Sequence, residues 1–257
     1  MSKQSKRERQ RLNREARREY EESLAKRRRA FRTVRALILV AVPVVAIGAF
    51  LSLSGDDKKT KNPALAAGCR VVKKAPPPKD VTFEQADLTI DPAKTYDATI
   101  ETSCGSFTIR LADDEAPVTV NSFVFLANQG FYDNLTFHRV VKDFVAQGGD
   151  PQNNGTGGPG YVLPDEPPAE GYQQGSVAMA NAGPGTSGSG FFIVTTEQGA
   201  ANLGGPPYLY SIVGQVTDGF ETIKRINKLG STEADPALQQ PKAIIVVDKI
   251  TISEALA

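Results

Sequence analysis

Tryptophan is absent from this chain of 257 residues, histidine occurs once, and cysteine and methionine occur twice each. No site can use an indole ring. A zinc centre of three or four His and Cys ligands would consume every His and Cys present. A disulfide-dense scaffold is excluded. A Ser-His-Asp hydrolase would have to use His138, and it would need a Gly-x-Ser-x-Gly elbow between strand and helix. Gly185-Thr186-Ser187-Gly188-Ser189-Gly190 comes near without matching, and Phe191–Thr195 reads as strand, not helix. The run Gly155-Thr156-Gly157-Gly158-Pro159-Gly160 lacks the lysine and the following helix of a phosphate loop. Asp165 and Glu166 are adjacent in a Pro-flanked loop, and read as solvated surface rather than as paired catalytic carboxylates.

Gly and Pro are plentiful, at 23 and 17 residues, which suits many turns and short strands. The formal net charge of +1 hides an asymmetry. Residues 1–35 carry 14 Lys and Arg against 5 Glu, while the remaining 222 residues carry 16 basic and 24 acidic side chains. The balance turns at residues 36–53, ALILVAVPVVAIGAFLSL, a run of 18 positions without charge. A membrane-spanning helix needs about 17–25 such residues. Clustered Arg and Lys on its N-terminal side place that side in the cytoplasm. The run reads as a single uncleaved anchor, with the rest of the chain outside the cytoplasm at the cell membrane. It accounts for the basic arm without nucleic acid as a partner. A cleaved signal remains open through Ala64-Leu65-Ala66, and a lipidated Cys69 through Leu65–Cys69; both lie beyond the charged stretch DDKKTKN. The organisation expected is a cytoplasmic arm at 1–35, a transmembrane helix at 36–53, a Pro-rich tether at 54–94 and a folded domain at 95–257.

From Tyr96 the pattern changes. Tyr96, Ala98 and Ile100 alternate with polar residues, Phe107, Ile109 and Leu111 do the same, and Thr102–Ser106 lies between them: a β-hairpin. Pro117 and Gly130 bracket a helix whose apolar face is Val120, Phe123, Val124 and Ala127. Strand-like runs follow at Thr136–Val141, Phe144–Gln147, Ser176–Ala180, Phe191–Thr195, Tyr210–Val216 and Ala243–Ile252, and a second helix fits Phe220–Leu229 with Asp218 as its cap. The fold class expected is mainly β: a closed, eight-stranded antiparallel barrel with two helices over its ends.

The motifs FHRVVKDFVAQGGD from Phe137, GTGGPGY from Gly155 and MANAGPGTSGSGFF from Met179 stand in this order and spacing. In them the sequence resembles the cyclophilins, a family of peptidyl-prolyl cis/trans isomerases, over about residues 96–252. The anchored arrangement is similar to bacterial membrane-bound members. The resemblance implies a cyclophilin-like barrel, no cofactor and no metal, and Pro-containing segments of exported or unfolded polypeptides as partners. It implies Arg139 as the catalytic group and Phe144, Val145, Phe192 and Leu203 as the apolar pocket. Gln147 and the backbone of Asn181 would hold the substrate chain, and Ala180 and Ala182 would line the groove. Tyr210 falls where many eukaryotic members carry a pocket His, Asn202 where they carry Trp, Val145 where Met is common and Gly190 where most have Gln. His138, next to Arg139 on an extended run, points the opposite way and reads as structural.

The chemistry agrees with so sparse a set of side chains. Rotation about an X-Pro bond makes and breaks no bond, so no nucleophile, metal or general base is required. What is required is a dry pocket for the ring and a donor for the imide nitrogen, which becomes a better acceptor as amide resonance is lost. The alternative is a membrane-tethered module that binds Pro-containing peptides, or acts as a chaperone, with little turnover; Gly190 is the feature in its favour. Cys69 and Cys104, the only cysteines, are candidates for a disulfide between the tether and the hairpin turn. Two separate thiols, or lipidated Cys69, are the alternatives.

Overall fold

Alternation builds the first hairpin. In β1 (Tyr96–Thr102) residues Ala98 and Ile100 are buried, and in β2 (Gly105–Leu111) so are Phe107, Ile109 and Leu111. Ser103 and Cys104 turn the chain; Thr102 Oγ1 accepts the Cys104 N–H at 3.0 Å and donates to the Gly105 carbonyl at 2.7 Å. This computed structural model describes residues 62–255. The basic arm and the apolar run at 36–53 lie outside the described residues. Among the described residues no helix is long and apolar enough to cross a membrane.

The further strands are β3 (Leu135–Thr136), β4 (Arg139–Val140), β5 (Val145–Gly148), β6 (Ser176–Met179), β7 (Phe191–Val194), β8 (Ile212–Asp218) and β9 (Val246–Glu254). All nine join one antiparallel sheet in the order β3-β9-β1-β2-β8-β6-β7-β5-β4. The helices are α1 (Pro63–Ala67), α2 (Pro117–Asn128), α3 (Glu197–Asn202) and α4 (Phe220–Lys228).

The expected closed barrel of eight strands and two helices is therefore corrected to an unclosed sheet which, among the described residues, has nine strands and is accompanied by four α-helices. The run expected as one strand, Thr136–Val141, is split into β3 and β4, the two edges of the sheet. Phe137 and His138 alone separate them, so Thr136 and Arg139 lie within about 11 Å, at ~3.3–3.6 Å per extended residue. No ladder joins the edges because loops take their donors: the Thr136 N–H reaches Asn153 Oδ1 at 2.9 Å, and the Val140 N–H reaches the Gln239 carbonyl at 3.0 Å.

The inner face of the sheet holds the main core. Phe191 sits at its centre, with ring centroids 5.9 Å from Phe123, 5.7 Å from Tyr132 and 6.1 Å from Phe137. Helix α2 starts at Pro117 with no side-chain cap of its own. The Glu166 carboxylate supplies one from a distant loop, accepting the Val118 N–H at 3.2 Å and the Thr119 N–H at 2.7 Å. Glu166 is thus a helix cap rather than free surface. Helix α4 begins at Gly219, not under an Asp218 cap: Gly219 has φ +81°, and a Cβ there would lie 2.5 Å from the Ser106 carbonyl and the Phe107 backbone.

Helix α2 is buried on more than its predicted face, Phe125 and Leu126 included. The cover comes from residues 62–95, which belong to the same compact unit as the sheet. Phe83 meets Phe125 edge-on with centroids 5.1 Å apart, and the Lys79 ammonium donates to the Gly130 and Phe131 carbonyls at 3.0 and 3.1 Å. Cys69 is joined to Cys104 in a disulfide, and the Arg70 N–H bonds the Ser103 carbonyl at 2.7 Å. From Asn62 onward, the stretch read as a tether lies along the domain as a strap.

Candidate active site

Register sorts the side chains of the strands that build the site. Arg139 pairs with Gln147, Gln147 with Phe192 and Phe192 with Ala178. Directly opposed residues project to the same side of a sheet, so these four share the outer face. Their neighbours Val140, Ala146, Ile193 and Val177 point inward and are buried in the main core. On the outer face Val145, Ala178, Phe192, Val194 and Ala200 form a second, smaller apolar cluster, with Phe144, Ala180, Leu203, Tyr172 and Tyr210 packed on it.

This cluster floors a pocket lined by Arg139, Phe144, Val145, Gln147, Ala180, Asn181, Phe192, Leu203 and Tyr210. Three of them, Phe144, Leu203 and Tyr210, are placed by local devices outside the strands. Phe144 follows Asp143, whose φ of +59° is held by Asn227: the Asp143 N–H reaches Asn227 Oδ1 and Asn227 Nδ2 reaches Asp143 Oδ1, both at 2.8 Å. Leu203 is delivered by α3, capped by Thr196 Oγ1, which accepts the Gly199 N–H at 3.0 Å. Gly199 has to be glycine, since a Cβ would lie 2.5 Å from the Phe144 carbonyl oxygen. Tyr210 stands edge-on to Phe192 at 5.1 Å. Its backbone is clamped by Tyr172, whose hydroxyl accepts the Tyr210 N–H at 2.8 Å and donates to the Tyr210 carbonyl at 2.7 Å. Burial pushes the Tyr172 pKa up to about 12, so the donating proton stays in place at neutral pH.

Arg139 is the one ionised group in the pocket lining. Its Nε donates to Gln239 Oε1 at 2.8 Å and its Nη1 to Gln147 Oε1 at 3.2 Å. Among the described residues Nη2 has no partner. Burial lowers the guanidinium pKa from its usual range, with Tyr210 acting the other way. Such a cation, partly withdrawn from water and fixed by two neutral amides, donates more strongly than one in bulk solvent.

Of the catalytic and substrate-binding residues that the resemblance implies, only Ala182 is not part of the pocket lining. It is exposed, its N–H bonded to Thr186 Oγ1 at 2.9 Å. Asn181 lines the pocket, and its Nδ2 donates to the Leu209 carbonyl at 2.8 Å. His138 is half-buried away from the pocket, and its Nδ1 has no partner among the described residues. Gln239 and Tyr172 escaped sequence reasoning. Both lie in loops without period, Gln239 a hundred positions from the arginine it touches.

Gly190 does not need to be glycine. A Cβ there would meet nothing nearer than Ala180 Cβ and the Gly148 carbonyl oxygen, both at 3.8 Å, and its φ lies outside the left-handed region. Gly190→Gln is expected to keep wild-type thermal stability and to raise turnover at most several-fold. Loss of stability in a melting experiment would contradict this geometry.

His138 gives the stability a pH dependence. Burial lowers its pKa; Asp150 opposes that and Arg139 adds to it. The unfolded chain takes up the proton near pH ~6.5, before the folded one does. The contribution of the neutral imidazole is therefore complete above about pH 6.5 and is lost as pH falls towards the folded value. Between pH 7.5 and 5.5 the melting temperature of the wild type should fall more than that of His138→Gln. Parallel curves for the two would contradict it.

An antiparallel sheet with an apolar pocket and a half-buried guanidinium at that pocket is the arrangement of a cyclophilin-like domain. A family model described as cyclophilin type peptidyl-prolyl cis-trans isomerase/CLD matches residues 98–250, and the chain belongs to this enzyme family. A peptidyl-prolyl cis-trans isomerase of Arabidopsis thaliana is 39% identical over 153 residues, 58% of this chain and 90% of the relative. Peptidyl-prolyl cis-trans isomerase A of Mycobacterium tuberculosis is 38% identical over 187 residues, 65% of this chain and 97% of the relative. The crystal structure of a cyclophilin-type isomerase from Cryptosporidium parvum superposes with a TM-score of 0.54 at 29% identity, covering 63% of this chain and 99% of that one.

Proposed function

We propose that this chain accelerates rotation about X-Pro bonds in exported or unfolded polypeptides, with Arg139 stabilising the twisted imide while Phe144, Val145, Phe192 and Leu203 hold the proline ring. The observation that carries the reading is the guanidinium of Arg139, fixed by Gln147 and Gln239 at an apolar pocket. The uncatalysed barrier is ~18–20 kcal/mol, with spontaneous times of about 10–100 s. Millisecond turnover requires removing roughly 5–7 kcal/mol, at ~1.36 kcal/mol per tenfold. Two effects supply it. The dry pocket strips water from the imide, and the guanidinium donates to a nitrogen that accepts well only when the bond is twisted. The planar ground state gains less, so the stabilisation is differential. Gln147 and the Asn181 backbone hold the chain on either side. The relatives' names support the reaction, and a Cryptosporidium parvum relative of 30% identity was crystallised in the presence of the dipeptide Ala-Pro. The alternative, a Pro-peptide-binding or chaperone module with little turnover, draws on Gly190. An isomerisation assay on an X-Pro peptide separates the two: acceleration supports the enzyme, binding without acceleration the module.

The proposed setting is the outer side of a cell membrane, with the chain anchored as in bacterial membrane-bound members through residues 36–53. Support comes from the charge asymmetry across that run and from the Cys69–Cys104 disulfide, since disulfides persist in oxidising compartments. Protease added to intact spheroplasts should remove the domain and spare the basic arm. A domain resistant until lysis would overturn this topology.

A further inference from the structure

Arg139 stands on an edge strand of the sheet. Its strand, β4, is two residues long, lies at the end of the sheet and has a ladder partner, β5, on one side only. Such a strand is a weak base for a group whose direction has to be held. On its open side lies the loop between α4 and β9. That loop is fastened to β4 by backbone bonds: the Ser231 N–H to the Val140 carbonyl at 2.8 Å, the Lys142 N–H to the Ser231 carbonyl at 2.9 Å and the Val140 N–H to the Gln239 carbonyl at 3.0 Å. Within the loop, Ser231 Oγ donates to the Leu238 carbonyl at 3.1 Å and accepts the Glu233 N–H at 3.1 Å.

Gln239 closes this cradle. It is 8% exposed. Its Nε2 donates to the Glu233 carbonyl at 3.1 Å, which fixes the sense of the amide and turns Oε1 towards Arg139 Nε, 2.8 Å away. Gln147 holds Nη1 from the pocket side. Gly190, two residues before Phe192 on the same face, brings no side chain to the guanidinium. We propose that Gln239 is the positioning residue for Arg139: it locks Nε, sets the plane of the guanidinium and leaves Nη2 free for the substrate. The inference rests on the catalytic role proposed for Arg139. Gln239 does not line the pocket and acts only through the arginine.

Two near-isosteric variants separate positioning from packing. Gln239→Met fills the same volume without an acceptor, and Gln239→Glu keeps an oxygen for Nε while losing the N–H to Glu233. Positioning predicts that Gln239→Met lowers kcat on an X-Pro peptide roughly tenfold or more, the scale of one hydrogen bond to a charged group, with KM nearly unchanged. Gln239→Glu retains most of the turnover. A purely structural role predicts the reverse order, because Met packs and a buried carboxylate does not. In an Arg139→Ala background, Gln239→Met should lower turnover no further; a second, additive loss would overturn the proposal. In the wild-type chain, the Arg139 Nε–H proton should exchange slowly with water by NMR, a readout that requires no variant to fold; fast exchange would also overturn it. If Arg139→Ala leaves turnover intact, the reading of the site itself fails. If Arg139→Ala abolishes turnover and Gln239→Met matches wild type, only the positioning role fails.

Discussion

Replacing Arg139 by alanine should lower turnover on an X-Pro peptide about 10²–10³-fold, the scale for removing one preorganised donor from a transition state. Peptide affinity should change far less, because the imide nitrogen becomes a good acceptor only when the bond is twisted. The pocket of Phe144, Val145, Phe192 and Leu203 remains in the variant and still takes the ring. Steady-state kinetics should therefore show the loss in kcat, with KM close to wild type. Arg139→Lys should rescue poorly. A guanidinium presents donors in one plane and meets Gln239 Oε1 and Gln147 Oε1 while keeping Nη2 free. An ammonium is a point charge without that fork. Equal losses in binding and turnover would mean that Arg139 merely grips the substrate.

The largest expected effect on stability comes from the Cys69–Cys104 bridge, which spans 35 positions. Closing a loop of that size constrains the unfolded chain by about 3–4 kcal/mol in the entropy model. Both cysteines are almost fully buried, so alanine is the fitting replacement; serine would add unpaired hydroxyls. For a unit of this size, Cys69→Ala with Cys104→Ala should lower the melting temperature on the order of 10 °C, at roughly 2–4 °C per kcal/mol. Turnover well below that temperature should stay near wild type, because neither residue lines the pocket. A melting temperature unchanged by the double replacement would show that the strap is held by its other contacts alone. Those contacts are the Phe83 ring on Phe125 and the Lys79 ammonium on the Gly130 and Phe131 carbonyls.

Local pattern carried most of what the sequence revealed. Period-two alternation identified the β1–β2 hairpin, and Pro117 with Gly130 bracketed α2 within two residues of its ends. Seven of the nine residues that line the pocket were legible because they sit in two dense motifs, at 137–150 and 179–192; Leu203 and Tyr210 lie beyond them. What pattern could not reach was set by contacts distant in sequence. Strands of two residues, β3 and β4, carry no periodic signal, so the unclosed seam between them was invisible. The strap has a Pro-rich composition and isolated apolar residues, and only the seat of Phe83 on Phe125 and the burial of Ile90 in the main core explain why these two are apolar. Glu166 looked like surface because the helix it caps lies 47 positions earlier. Gln239 is a polar residue in a polar loop; nothing but its oxygen beside Arg139 distinguishes it.

Whether this pocket catalyses rotation or only binds proline decides what the protein does. The most direct test follows the cis-to-trans conversion of an X-Pro peptide, with the full chain present at substoichiometric amounts. The expected result is relaxation well faster than the spontaneous ~10–100 s, in proportion to protein concentration and largely abolished by Arg139→Ala. Saturable binding of the peptide with relaxation at the spontaneous rate would contradict it.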